Sequence, residues 1–240
     1  KAPSLIALHK QTGELAAVDS ADIGDRILHG QWSSPVVASF GGPPLILFGG
    51  GDGVLYAFRA LQGHESHQNR ELEIAWQYDC CPQDYRYQDG QAVPYARWNK
   101  NRVDGPSEII ATPTVADGRV YVTIGQSPVH GPGQGVLSCI DGASGKLVWE
   151  SRKVGRTLSD AVVHKGCVYS ADYTGKLHCL DADTGQHFWS QDLSGGDWCA
   201  TPVIVNDKVY ITNEKNRIWV LAAGREKQVI SQGRTRSVAI

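Results

Sequence analysis

The sequence predicts an all-β fold: a β-propeller built from four-stranded antiparallel blades. Three observations predict it. The segment CIDGASGKLVW at 139–149 returns forty residues later as CLDADTGQHFW at 179–189, with a weaker copy, ALHKQTGELAA, at 7–17. A period of about 40 residues is the length of one four-stranded propeller blade. The composition agrees, because 27 Gly and 11 Pro punctuate short clusters of Val, Ile, Tyr and Trp. That is the pattern of short strands joined by tight turns.

The elements follow in order, within one domain spanning 1–240. The chain opens with two outer strands, 4–8 and 14–18, that have no inner partners before them. A first complete blade spans 30–79, with strands in WSSPVV, PLILFG, GVLYAF and EIAW. An insertion at 80–107 interrupts the repeat. The second blade, 108–152, reads IATPTV, RVYVTI, GVLSCI and KLVW. The third, 156–192, reads LSDAVV, CVYSAD, GKLHCL and QHFW. The fourth, 197–232, reads CATPVI, KVYITN, NRIWVL and KQVI, and its last strand lacks the tryptophan. A short strand at 237–240 ends the chain. Pairing of the half-blade 4–18 with 235–240 would close about five blades and remove open strand edges. The other expectation is a larger propeller cut short. The chain begins at Lys1 and contains no Met, which we read as processing, trimming or a fragment.

The stretch DADTG has calcium-loop spacing, with Asp181, Asp183 and Gly185 in a D-x-D-x-G pattern. A calcium site needs about six oxygen ligands, several of them carboxylates. The copies vary at the carboxylates and keep Gly13, Gly145 and Gly185. Glycine is what a turn needs where φ is positive. The motif is therefore a hairpin turn, and no metal is assigned to it.

Charge excludes some classes. The net charge is -2 with 20% charged residues, so no basic field points to nucleic acid. No apolar run reaches the ~18 residues of a membrane-spanning helix. The six cysteines contain no C-x-x-C pair, which removes the usual zinc and thioredoxin readings.

The pattern A-x-D-x-x-T-G-x-x-x-W resembles the repeat of the pyrroloquinoline-quinone (PQQ) dehydrogenase-like propellers. Asp141, Gly145 and Trp149 carry it in one blade, and Asp181, Thr184, Gly185 and Trp189 in the next. The longer matches GQWSSP, FGGGDGVLYAF, IIATPTVADGRVYV and YTGKLHCLDADTG look like the cofactor-free, extracytoplasmic members. Those members are compared with the propeller lipoprotein of the outer-membrane assembly machinery. The resemblance implies that Trp76, Trp149 and Trp189 dock each blade against its neighbour. It also implies an alternative, because PQQ-dependent alcohol dehydrogenases carry a disulfide between adjacent cysteines against the cofactor. Cys80 and Cys81 are the candidate pair here.

Other candidates come from the residues themselves. The insertion places Tyr85, Tyr87, Tyr95 and Trp98 among Arg86, Arg97, Lys100 and Arg102, the mixture that recognition surfaces use. A second insertion, QSPVHGPGQ at 126–134, holds His130 and lies either on the same face or on a side rim. His64 and His67 have H-x-x-H spacing in a polar loop and read as solvated. Aligning on Pro35, Pro113, Ala161 and Pro202 brings Gly30, Glu108, Arg156 and Asp197 together, with His29 one residue earlier. These positions begin the innermost strands and are expected to ring one channel mouth. Cys139 and Cys179 read as core, as does Cys199, which aligns with Trp32, Ile110 and Leu158.

The sequence therefore favours a non-catalytic binding or scaffold propeller outside the cytoplasm, with no cofactor. Its partner would be a protein or a small polar ligand, at a channel mouth or at 80–107. An incomplete ring could also oligomerise. The first alternative is a PQQ- and calcium-dependent alcohol or sugar dehydrogenase. The second is a carbohydrate-binding propeller using the aromatic insertion.

Overall fold

The computed structural model describes residues 2–61, 70–95, 105–195 and 200–236. Four four-stranded antiparallel sheets form, each in simple consecutive order. Blade 1 is Val36–Ala38, Leu45–Gly49, Val54–Arg59 and Ile74–Asp79. Blade 2 is Thr114–Ala116, Arg119–Thr123, Leu137–Asp141 and Leu147–Ser151. Blade 3 is Val162–His164, Cys167–Ala171, Lys176–Asp181 and His187–Asp192. Blade 4 is Val203–Val205, Lys208–Asn213, Arg217–Ala222 and Val229–Arg234.

The repeated sequence gives repeated geometry. In blades 2 and 3 the third and fourth strands pair Cys139 with Trp149 and Cys179 with Trp189, and both ladders slip one residue later. Blades 1 and 4 slip at the same place, after Ala57 and after Val220. Such a bulge bends the strand and re-aims its side chains. Ser231 stands opposite Val220, so serine occupies the tryptophan position in blade 4.

Alternation builds the core. Successive strand residues point to opposite faces, so each blade feeds two clusters. Val120 and Val122 pack towards blade 1 with Leu47, Leu55 and Ile109. Tyr121 packs the other way, with Val168 and Leu180 of blade 3. Blades 3 and 4 share Tyr169, Cys179, Trp189, Ile211 and Trp219. The half-blade, Ile6–Leu8 with Leu15–Asp19, joins blade 1 through Leu5, Ala17, Phe48 and Phe58. Cys139 and Cys179 lie in these clusters. Among the described residues, no such cluster joins blade 4 to the half-blade.

The half-blade carries a third strand of different origin. Glu71–Leu72 from the blade 1 loop runs parallel to Leu15–Asp19. The expected closing partner, 235–240, falls largely outside the described residues. Thr235 donates its N–H to Asn216 O within blade 4.

The tryptophans dock on neighbouring turns. Trp76 donates its indole N–H to Gly142 O at 3.1 Å, Trp149 to Ala182 O at 3.0 Å and Trp189 to Gly224 O at 3.0 Å. Gly145 and Gly185 have φ of +71° and +72°, and a Cβ on either would lie 2.6 Å from the ring of Trp76 or Trp149. These glycines answer two demands, a left-handed backbone and a flat indole pressed onto it. The DADTG loop is a turn closed on itself: Asp181 accepts from Asp183 N, Thr184 N and Thr184 Oγ1.

Candidate functional site

Loops between second and third strands share one end of the molecule with the linkers entering each innermost strand. Backbone bonds lace them together. Leu28 N donates to Gly51 O, Ile109 N to Gly50 O, and Glu108 exchanges both bonds with Gly125. Arg156 repeats the arrangement one blade on, donating to Gly133 O and accepting from Tyr173 N. Glu108 and Arg156 thus hold equivalent places in successive blades.

Both insertions meet on this face. Tyr95 donates its hydroxyl to Glu108 Oε1 at 2.9 Å and accepts from Ser127 N at 3.3 Å. Gly30 N reaches Glu108 Oε2 at 3.3 Å. Gln126 bonds Pro106 O through Nε2 and His130 Nδ1 through Oε1, and its carbonyl accepts from Tyr173. The rings of Trp32, His29 and Tyr95 form a stepped stack, with centroids 6.3 Å and 6.1 Å apart. His130 meets the Tyr95 ring edge-on at 5.1 Å.

The electrostatics centre on Glu108. Its side chain is fully buried. Burial pushes its carboxyl up to about 7, against the opposing hydrogen bonds from Tyr95 and Gly30. Burial also raises the Tyr95 phenol, and the Glu108 charge adds to that. The buried His130 is depressed by desolvation, then by the Arg156 and His29 charges.

Several expected site residues fall elsewhere. Tyr85 is 3% exposed and lies in the core under the Arg152 guanidinium, so it anchors the insertion and presents no surface. Tyr87 is exposed in the short pairing of Tyr87–Gln88 with Gln91–Ala92. Arg156 is buried against Gly133 and offers no charge to solvent. Arg97, Trp98 and Asp197 lie outside the described residues, as do His64, His67 and Cys199. Trp32 is the reverse case. Its alignment reads as core, yet it is 58% exposed. The chain before it, His29 to Gln31, is held by blade 1 loops and by Glu108, which leaves the indole outside. The contrast with Ile110 and Leu158 at the aligned positions was the available signal.

Cys80 and Cys81 are free thiols, so the candidate ring disulfide is not formed. The two sulfurs have separate surroundings. Cys80 Sγ lies 3.8 Å from Tyr78 O, whereas Cys81 Sγ accepts from Ser107 N at 3.4 Å. Burial raises both thiols, Cys81 to about 11, so neither has thiolate character near neutral pH.

The comparisons fit this geometry. The family model described as "Outer membrane protein assembly factor BamB" matches residues 133–236. BamB from Moraxella catarrhalis superposes with a TM-score of 0.69 over 97% of this chain, at 16% identity. The chain is similar in fold and in part of its sequence to the PQQ-like propellers, BamB among them. Among curated relatives, quinohemoprotein alcohol dehydrogenase ADH-IIG of Pseudomonas putida is 33% identical over 128 residues. BamB of Alkalilimnicola ehrlichii is 25% identical over 130 residues. These matches cover 47% and 50% of this chain. They take in only 17% and 33% of those relatives, and the superposition takes in 59% of the Moraxella chain.

The residues of this chain do not fit a quinone at the cysteine pair. Cys80 and Cys81 are 2% and 1% exposed, sealed in the core between blades 1 and 2. A Cβ on Gly53 would lie 2.4 Å from Ser107 O and 3.2 Å from Cys81 Cβ. A planar cofactor has no cysteine face to lie on. Among the described residues, no three of His, Cys, Asp and Glu converge as a metal-ligand set.

Proposed function

We infer that this chain is a non-catalytic scaffold propeller acting outside the cytoplasm, which engages a protein partner across the face carrying both insertions. One observation carries the reading: the solvent-facing stack of Trp32 and His29 on a laced polar base of buried Glu108 and Gln126 and half-buried Tyr95. Exposed aromatics on a rigid base are what interface anchors require, because little entropy is lost when they are covered. The family match to an assembly factor supports the same reading. The sealed cysteine pair argues against the dehydrogenase alternative.

The test is site-specific photocrosslinking in a periplasmic extract. A crosslinker at position 32 should capture one discrete partner, and one at position 143, on the opposite turns, should not. Equal capture at both positions would defeat the reading. Addition of PQQ and calcium should give neither cofactor absorbance nor dye-linked alcohol oxidation.

A further inference from the structure

An open cavity of about 400 Å³ lies between blades 2 and 3, at the end of the molecule that carries both insertions. Blade 2 lines it with Arg152 and Lys153, and blade 3 with Asp172, Thr174, Lys176 and His178. Clefts of this size hold small molecules. The equivalent cleft between the half-blade and blade 1 is filled. Gly50 N donates to Val54 O as Asp172 N donates to Lys176 O, so Tyr56 of blade 1 stands where His178 stands in blade 3. There Arg26 inserts and bonds both Asp52 and the Tyr56 hydroxyl. Arg26 precedes the aligned Gly30 by four residues, and Arg152 precedes Arg156 by four. Arg152 turns the other way. It grips Asp84 of the first insertion at 2.7 Å and 3.0 Å and lies over the Tyr85 ring. The cleft beside His178 stays open because its arginine is drawn off.

The acid in this cavity is already satisfied. Asp172 Oδ1 accepts from Thr174 N and Oγ1, and Oδ2 accepts from Gly155 N and His178 Nε2. Against burial, the His178 bond, then Thr174 and Gly155 N, hold that carboxyl below its usual range. His178 Nδ1 lies 3.3 Å from His187 Nε2. His187 is held below its usual range by burial, then by the neighbouring His178 and Lys153. Lys153 and Lys176 are exposed, and neither forms an ion pair among the described residues. Asp192 stands opposite Lys176 in the ladder but gives its oxygen to Ser194 N. Positive charge therefore faces the cavity from both walls, and no carboxylate there is free to balance it.

We propose that this cavity is an oxyanion site for a small soluble phosphomonoester, with Lys153 and Lys176 as its cations and a protonated His178–His187 pair beside them. This goes beyond the scaffold reading and does not depend on it. A phosphoryl group brings nearly two negative charges and three acceptor oxygens. Two ammonium groups and an imidazole N–H supply the charge-assisted donors it needs. The dianion also favours the charged imidazole, because an opposite charge nearby stabilises the protonated form.

The experiment is calorimetric titration of the whole chain with inorganic phosphate at constant ionic strength, with acetate and glycerol as controls. Wild type should bind phosphate saturably, acetate about tenfold more weakly, and glycerol not at all. Lys153→Gln combined with Lys176→Gln should lose about tenfold or more. Both lysines are exposed, so the far-UV spectrum should be unchanged. Lys10→Gln, on the first turn of the half-blade, should lose nothing. Proton resonances of the histidines give a second readout. Phosphate should move upward the titration midpoint of the signal that His187→Gln removes. The titratable or charged groups around that ring are His178 and Lys153, with Lys176, Arg152, Asp172 and Asp192 beyond them. Phosphate that fails to saturate, wild-type affinity in the double lysine variant, equal loss in Lys10→Gln, or an unmoved His187 midpoint would each overturn the proposal. Glycerol 3-phosphate should bind as phosphate does. Capture on phosphatidic acid vesicles without binding of glycerol 3-phosphate would overturn the assignment to a small soluble ligand. The crosslinking result at position 32 is independent of all these outcomes.

Discussion

Three turns of this molecule are built alike and end in different surroundings. In each, the last turn residue is a glycine that donates its N–H four residues back: Gly13 to His9, Gly145 to Asp141 and Gly185 to Asp181. Their φ values are +75°, +71° and +72°. Gly145 and Gly185 lie under Trp76 and Trp149, but nothing stands within 4 Å of a Cβ placed on Gly13. The half-blade around Gly13 also leaves Ile6, Leu8 and Leu15 exposed. The comparison separates two reasons for one glycine. Backbone conformation applies at all three turns, and close approach of an indole applies at only two. A repeat can thus preserve a residue where half of its purpose is absent.

The comparison can be broken by experiment, and the largest effect should come from the indole. Trp149→Ala should cost about 3–5 kcal/mol, since it empties a packed site and removes one of the two donors to Ala182 O, the Tyr121 hydroxyl being the other. Chemical denaturation measures it, and a loss under 1 kcal/mol would mean that the ring does not hold blades 2 and 3 together. Next in size is Gly185→Ala, at about 3 kcal/mol, from left-handed strain plus the clash with Trp149. Gly13→Ala should cost only about 1 kcal/mol, because strain acts there alone. A double-mutant cycle sharpens the point. In the Trp149→Ala background, Gly185→Ala should fall to the Gly13 level, and additive costs would contradict contact between the two.

The smallest effect concerns the carboxylates of the turns. Burial acts to raise Asp181, but hydrogen bonds from Thr184 and Asp183 and the nearby Arg225 leave it depressed. Ser144 depresses Asp141 in the same way. A depressed carboxylate contributes stability above its unfolded value near 3.9 and loses it as pH falls through the lower folded value. Asp181→Asn should therefore cost about 1 kcal/mol at pH 7 and close to nothing at pH 2, by thermal melting. His9 stands at this place in the first turn. Substituting His9 by Asn should produce no such acid-dependent difference, and one of equal size would break the assignment to the carboxylates.

Legibility followed the range of the cause. The hairpin turns, the strand order within blades and the inward-facing valines were readable because alternation and turn chemistry act within a few residues. The equivalence of Glu108 and Arg156 was readable because the repeat aligns them. The Glu108 bond to Tyr95 was not, because it depends on how the first insertion folds back over blade 2. The Trp32 exposure and the burial of Tyr85, Cys80 and Cys81 were hidden for the same reason. An irregular segment has no periodicity from which to read its facing.

The amino-acid order alone determined the four-stranded unit, its recurrence and the glycine at each turn, since neighbouring residues suffice to form a hairpin. Tertiary structure decided which glycines carry an indole, which aromatics face water, and that the buried Glu108 carboxyl takes its bonds from Tyr95 and Gly30. Those outcomes are set by contacts between blades and insertions, where burial raises the cost of an unpaired charge and no local pattern records who the neighbour is.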